Sequence, residues 1–344
     1  MGRSSNAVAC AVVRSTPSET VFAIAALCAC VRTPPPPRIS AAAQSPAAEA
    51  RAPDLPAAQL PAAQASTAAP ADVPSATPND VPPVASAPPV LTGSLDPSWL
   101  PVSDGITLRR ARFRVEAESF DELTWVVVRV DASRVRPTIL RAPNNRIGDA
   151  VADRRIVFAV DGGYFNEGFG PTGLLVARGT SHGAVSARGG SGILVFRTGH
   201  AEVVDSTAPF AAEPAPDLAV QCGPRLVERD GTPGVYRDDG QRFARTVACI
   251  RDGGRTVDFI ATWATSVPMR GPGLFRVSRL LAAPSAVGDP RGCDAALNLD
   301  GGPSTAIFAR AAVPFVHAGV GPTPWLIVAY VGSASPMAER PGSR

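Results

Sequence analysis

Two segments of the chain bring an acid to the end of an apolar run and follow it with two glycines. The first is Val160-Asp161-Gly162-Gly163-Tyr164-Phe165-Asn166, continuing to Gly170-Pro171-Thr172-Gly173. The second is Asn298-Leu299-Asp300-Gly301-Gly302-Pro303-Ser304-Thr305. Paired glycines allow a left-handed backbone and let a ligand or another segment approach closely. N–H groups exposed in such a turn form an anion-binding concavity, to which Ser304 and Thr305 would add hydroxyl donors. Asp before Gly-Gly is also ordinary turn chemistry. The same device recurs more than a hundred residues away, however, and both copies end runs that read as buried strands. The chemistry on offer is therefore a carboxylate beside an anion-binding turn, twice over. Neither segment is a P-loop, since no Gly-Lys-Ser/Thr follows, and neither opens a helix with the dinucleotide fingerprint.

The elements that must carry these turns are mostly strands. Runs rich in β-branched or aromatic residues and bounded by turn residues occur at Ala111–Ala117, Leu123–Val130, Arg155–Val160, Gly173–Ala177, Gly192–Phe196, Thr246–Arg251, Val257–Thr262, Ala295–Leu299, Thr305–Ala309 and Trp325–Val331. Leu123–Val130 and Arg155–Val160 are nearly continuous in apolar residues, the pattern of central strands covered on both faces. Helical spacing is scarce. Ile147–Asp153 has room for two turns, and Leu274–Ala283 carries a one-sided apolar face between Gly271-Pro272-Gly273 and Pro284. These patterns predict an α+β fold: strand-rich mixed sheets with a few packing helices, in a single domain. No repeat of 20–50 residues points to a propeller or solenoid.

Composition sets the boundaries. The chain has 344 residues, with 36 Pro and 31 Gly, and all 33 basic side chains are Arg. Residues 31–98 hold 16 Pro and 18 Ala, half of the segment. Such a stretch has too few large apolar groups to offset its ordering entropy and reads as a disordered, semi-rigid tether. Before it, Val21–Ala29 is an apolar run of nine residues, too short for the roughly 20 residues a spanning helix needs. It suits a secretory signal, and Leu27-Cys28-Ala29-Cys30 resembles a lipoprotein cleavage box with Cys30 as the lipidated residue. The expected organisation is a leader over 1–30, a tether over 31–98, a folded domain over 99–335 and a flexible tail over 336–344. The expected location is outside the cytoplasm, as a lipid-anchored envelope protein or a secreted one. The net charge of +3 shows no basic stripe and argues against a nucleic-acid partner. In the folded part Cys222, Cys249 and Cys293 are odd in number, so at most one bridge forms and one thiol stays free. Nothing in the spacing of Cys or of His182, His200 and His317 marks a zinc site.

Four blocks, taken together, resemble the phosphodiester glycosidase domain family from about Arg109 to Val331. They are VDGGYFN (160–166) with GPTGLLVARG (170–179), QCGPRLVERDG (221–231), ARTVACIRDGG (244–254) and GCDAALNLDGGPSTAIF (292–308), the last being the most specific. Asp161 stands where the family commonly has Asn, and Val247 where it has a small Ala. The resemblance implies hydrolysis of a sugar joined through its anomeric carbon to a phosphodiester, in cell-envelope or extracellular glycan metabolism. A carboxylate is then needed at the anomeric centre, a cation on the phosphate and donors for its negative oxygens. In that reading Asp300 is the principal catalytic carboxylate and Arg245 clamps phosphate. The Gly301 and Gly302 amides cradle it with Ser304, while Asp161 and Asn166 bind sugar hydroxyls or supply a second carboxylate, with Glu167 a weaker candidate. Gly162, Gly163, Thr246 and Thr305 complete the expected binding set, and Tyr164 and Phe165 read as core. No cofactor is required, though a divalent cation could be shared by Asp161 and Asp300 if they converge. The alternative is a surface lipoprotein that binds glycan or phosphoglycan in the same cleft without cleaving it.

Overall fold

The computed structural model describes residues 91–95, 98–115, 122–210, 215–283 and 291–332. The leader, Cys30, most of the tether and the 336–344 tail lie outside the described residues. The first strands are β1 (Leu91–Leu95), β2 (Leu100–Ser103), β3 (Ile106–Val115) and β4 (Leu123–Asp131). After them come β5 (Thr138–Arg141), α1 (Ile147–Ala150) and β6 (Ile156–Asp161). The middle of the chain supplies β7 (Leu175–Ala177), β8 (Thr180–Gly183), β9 (Gly192–Arg197), β10 (His200–Asp205), β11 (Leu218–Cys222) and β12 (Arg225–Val227). It ends with β13 (Arg245–Arg251), β14 (Thr256–Ala264), α2 (Leu274–Ala282), β15 (Ala295–Gly301), β16 (Ile307–Ala309), β17 (Phe315–His317) and β18 (Trp325–Tyr330).

The strands form three sheets, each built from antiparallel pairs. The largest runs β1-β3-β4-β14-β13-β15-β12, with β2 hairpinned onto β3. The second runs β10-β9-β11-β7-β8 and the third β17-β16-β6-β18-β5. Among the described residues the helices are short, α1 having four residues and α2 nine. The architecture is thus mostly β, and α+β describes it only loosely. No described helix is long and apolar enough to cross a membrane. The two continuous apolar runs do become interior strands: β4 lies between β3 and β14, and β6, buried along its whole length, lies between β16 and β18. One boundary moves. Leu91–Leu95, inside the segment read as tether, pairs in register with Ala111–Val115 at the edge of the first sheet. An edge backbone supplies hydrogen bonds to any extended partner, so a strand can form there from a sequence with little strand character.

The sheets share one apolar core, and its centre is aromatic. Phe259 of β14 stacks on Phe196 of β9, with ring centroids 6.2 Å apart, and lies 5.0 Å from Phe158 of β6. One side chain therefore touches all three sheets. On the far face of the first sheet, α2 buries Val277, Leu280 and Leu281, the face its spacing predicts. There Cys249 and Cys293 form a disulfide, while Cys222 stays free and buried, as an odd count requires. Because Phe259 is fully buried, Phe259→Ala is expected to cost about 3–5 kcal/mol through lost burial and the cavity left behind. Chemical denaturation of the variant against the parent checks this.

Candidate active site

Both Asp-Gly-Gly turns arrive at one place. Asp161 ends β6, Asp300 lies near the end of β15, and the Asp300 N–H donates to the Gly162 carbonyl at 2.9 Å. The two turns are thus hydrogen-bonded to each other. The pairing of β13 with β15 slips at the same end: Val247 faces Asn298, but Arg245 faces Gly301. The extra residue on β15 makes a bulge, a device that bends a strand and re-aims its side chains. Arg245, Asp300, Asn298 and Tyr164 line one open cavity of about 250 Å³ together with Phe243 and the Gly301–Pro303 turn.

Burial separates the two carboxyls. Asp161 is 1% exposed. Its Oδ1 accepts from the Thr246 hydroxyl at 2.7 Å and from the Ala306 N–H at 2.8 Å, whereas its Oδ2 has no hydrogen-bond partner among the described residues. Burial holds the pKa of Asp161 well above the ordinary carboxylate range, and the nearby Asp300 charge raises it further. The neutral form is thereby favoured, and Oδ2 is the oxygen left open to carry its proton. It then offers one accepting oxygen and one donating hydroxyl, the same hydrogen-bonding pattern as an Asn carboxamide. Asp300 lines the cavity, and burial pushes its pKa up to about 6, opposed by the Gly301 N–H.

Arg245 is 8% exposed. Its Nε donates to the Pro272 carbonyl at 3.2 Å and its Nη2 reaches the Gln241 carbonyl at 3.5 Å, with the Phe243 ring 5.7 Å away. No carboxylate among the described residues touches it. Burial pulls its pKa below the ordinary guanidinium value, with the Asp239 charge opposing, but a guanidinium stays charged in any folded protein. The other buried arginine among the described residues, Arg251, bonds Asp258 at 2.9 Å, and Asp258 also takes a two-pronged bond from Arg129. A buried cation left without an anion at a cavity wall is a site for an anionic ligand.

Several expected binding groups are occupied otherwise. The Gly301 N–H donates to the Asp300 carboxylate, the Gly302 N–H to the Ala244 carbonyl at 2.7 Å and the Ser304 hydroxyl to the Pro322 carbonyl at 2.8 Å. Gly301 and Gly302 do line the cavity, but the expected anion cradle is corrected: its donors already hold the turn in shape. Thr246 is spent on Asp161. Thr305 is buried with its hydroxyl unpartnered among the described residues. Gly162 and Gly163 serve close approach, since a Cβ would lie 3.1 Å from the Trp325 carbonyl at the first and 3.0 Å from the Gln221 carbonyl at the second. Asn166 is exposed, and its Oδ1 caps its own loop by accepting the Gly170 N–H at 3.0 Å. Neither it nor the exposed Glu167 lines the cavity. Among the described residues no three His, Cys, Asp or Glu side chains are grouped to hold a metal ion. Asp161 Oδ1 is already shared by the Thr246 hydroxyl and the Ala306 N–H.

Four cavity residues were missing from the expected set: Asn298, Phe243, Pro303 and Tyr164, the last read as core alone. Tyr164 does pack on the core, but its hydroxyl donates to the Gly223 carbonyl. Asn298 Nδ2 donates to that same carbonyl at 2.9 Å and to the Leu299 carbonyl at 2.7 Å, leaving Oδ1 buried without a partner among the described residues. The signal for Asn298 lay in the alternation of Asn298-Leu299-Asp300, which puts the two polar residues on one face of the strand and Leu299 in the core.

The chain belongs to the phosphodiester glycosidase family, whose model matches residues 154–326, half of the chain. Two solved structures are similar to it. One is the catalytic domain of zebrafish N-acetylglucosamine-1-phosphodiester alpha-N-acetylglucosaminidase auto-inhibited by its pro-peptide, at 14% identity and a TM-score of 0.49 over 70% of this chain and 88% of that one. The other is a protein from Synechocystis described as hypothetical, at 13% identity and a TM-score of 0.46 over 70% of this chain and 68% of that one. No curated protein matches.

The buried acid makes a prediction about stability. A folded-state pKa above the unfolded one means that the folded chain binds more protons, so stability is lost as pH rises from the ordinary carboxylate value toward the raised one. Asp161→Asn keeps the hydrogen bonds and removes this loss. The variant should melt above the parent at pH 7, with the gap closing as pH falls to 4. Thermal melts across that range test it, and a gap independent of pH would contradict a retained proton.

Proposed function

We propose that the protein hydrolyses a sugar-1-phosphodiester at the bond between the anomeric carbon and the phosphate oxygen. Glycosidic phosphodiester hydrolysis in general is what membership of the family supports. The observation that carries the finer reading is Arg245, a buried guanidinium with no carboxylate in contact, in one cavity with Asp300. The phosphodiester would take the place of the missing anion, and planar Arg binds its oxygens bidentately. Asp300, ionised above about pH 6, would face the anomeric carbon, where positive charge develops as the bond breaks. Water supplies hydroxyl to the sugar and a proton to the departing oxygen, giving free sugar and a phosphomonoester. The leaving phosphate is already stabilised by Arg245, so a strong general acid is less necessary than in ordinary glycoside cleavage. Neutral Asp161 supports activity rather than opposing it, since it presents what Asn would present. We place the reaction outside the cytoplasm, on envelope or extracellular glycans, with Cys30 as a lipid anchor or the leader removed.

The test is release of free sugar from a panel of sugar-1-phosphodiesters, including UDP-GlcNAc. Asp300→Ala and Arg245→Ala should each lower kcat by about 10²–10⁴-fold, the range for removing a catalytic group or a charge-stabilising donor. With ionised Asp300 required, kcat/KM should rise with pH and level off above about 6, and that limb should be absent from the residual activity of Asp300→Ala. Saturable binding of the panel by a folded protein without release would favour the glycan-binding lipoprotein instead.

A further inference from the structure

A second, larger cavity adjoins the catalytic one, with a volume of about 510 Å³. Its walls are the 144–149 segment, the Phe169 side of the Gly-rich loop after Asn166, and the 318–322 loop. The two cavities share a wall one turn thick. Pro303 lines the catalytic cavity, and its carbonyl accepts the N–H groups of Val320 and Gly321, which line the other. On the second side, Phe169 belongs to the loop that leaves the Asp161 turn, and its carbonyl accepts the Trp325 indole N–H at 2.9 Å.

The polar groups here have a definite chemistry. The exposed Arg146 side chain has no hydrogen-bond or ion-pair partner among the described residues and can only donate. Asp149 can only accept; it holds Asn144 Nδ2 at 2.9 Å through one oxygen and keeps lone pairs to spare. Asn145 can do both. Phe169 and Val320, the latter 64% exposed, supply apolar surface beside them. An inorganic anion would satisfy Arg146 but repel Asp149, and a cation would do the reverse. A ring bearing several hydroxyls, each of which donates and accepts, with apolar C–H faces between them, satisfies all of these groups at once. Size agrees: the catalytic cavity of about 250 Å³ falls below the roughly 300–1,000 Å³ of pockets that enclose a drug-sized ligand, and the neighbour lies within that range.

We infer that this cavity is a saccharide subsite, holding a further sugar unit of a substrate whose scissile bond lies in the adjoining cleft. The inference rests on the hydrolase reading for its direction, since it makes the substrate an oligosaccharide or polymer rather than a single sugar phosphodiester.

Binding is measured by calorimetry on Asp300→Ala or Asp300→Asn, whichever melts like the parent. The probes are methyl phosphodiesters of glucose, N-acetylglucosamine and galacturonic acid, lengthened by one to three sugars on either the sugar side or the alcohol side. Lengthening on one side should raise affinity about ten-fold or more. That gain should vanish in Arg146→Ala/Asp149→Ala and in Val320→Trp, which fills the cavity from its exposed rim. No gain in any series, or a gain that survives both variants, overturns the subsite. Sugar release from the methyl esters by the unsubstituted protein reads the catalytic proposal separately. Turnover with no length effect removes the subsite alone. A length effect without turnover keeps the subsite and removes the hydrolase.

Discussion

The three sheets meet on the ring of Phe259, and the position of the site follows from that meeting. Each sheet brings one aromatic residue to the junction: Phe158 from β6, Phe196 from β9 and Phe259 from β14. Neither β6 nor β15 has a backbone bond to the other along its length; they belong to different sheets. What brings their ends together is the packing of the sheets, which fixes where β6 and β15 finish to within a hydrogen bond. The Asp300 N–H to Gly162 carbonyl contact is the local seal on an arrangement that the core imposes. Interiors this closely packed deform little, so the geometry of the two turns inherits the rigidity of the core.

At that seal, two acids of the same type have different environments. Asp161 is enclosed and gives one oxygen to Thr246 and Ala306, which binds the first sheet to the third through a neutral group. Asp300 stands at the cavity wall, where its charge is accessible near neutral pH. Two carboxyls that differ in solvation can divide a structural and a chemical role without interfering. The arginines show the same principle. Arg251 has its charge neutralised by Asp258 inside the protein, while Arg245, equally buried, is held by carbonyls alone. Those carbonyls and the Asp239 charge offset its desolvation in part, and an anion entering the cavity would offset more of it.

Much of this was legible in the residues. Ten strand segments were marked by composition, and the continuous apolar runs at Leu123–Val130 and Arg155–Val160 became interior strands because only a doubly covered strand tolerates apolar side chains on both faces. Eight strands were not marked: β2, β5, β8, β12 and β17 have three or four residues each, too few to show an alternation, while β1, β10 and β11, of five or six residues, were passed over. At the site, Asp161, Asp300 and Arg245 were expected by type and context, and the structure puts Asp300 and Arg245 in one cavity. The anion cradle was also expected but its donors are taken, since a glycine-rich turn exposes its N–H groups only if no neighbour takes them. The Ala244 carbonyl took the Gly302 N–H and the Pro322 carbonyl took the Ser304 hydroxyl, and neither carbonyl belongs to the turn itself.

Sequence by itself therefore determined which residues could act: the repeated Asp-Gly-Gly ends, the arginine before Thr246, the odd cysteine and the strand-rich class. These follow from local properties, namely side-chain chemistry and the period of two along a strand. Tertiary structure alone decided that Asp161 is enclosed while Asp300 reaches the cavity, that no carboxylate among the described residues touches Arg245, and that Asn298, Tyr164 and Phe243 share the cavity. Solvation and pairing are set by neighbours from other sheets. No reading along the chain contains those neighbours until the core has brought them together.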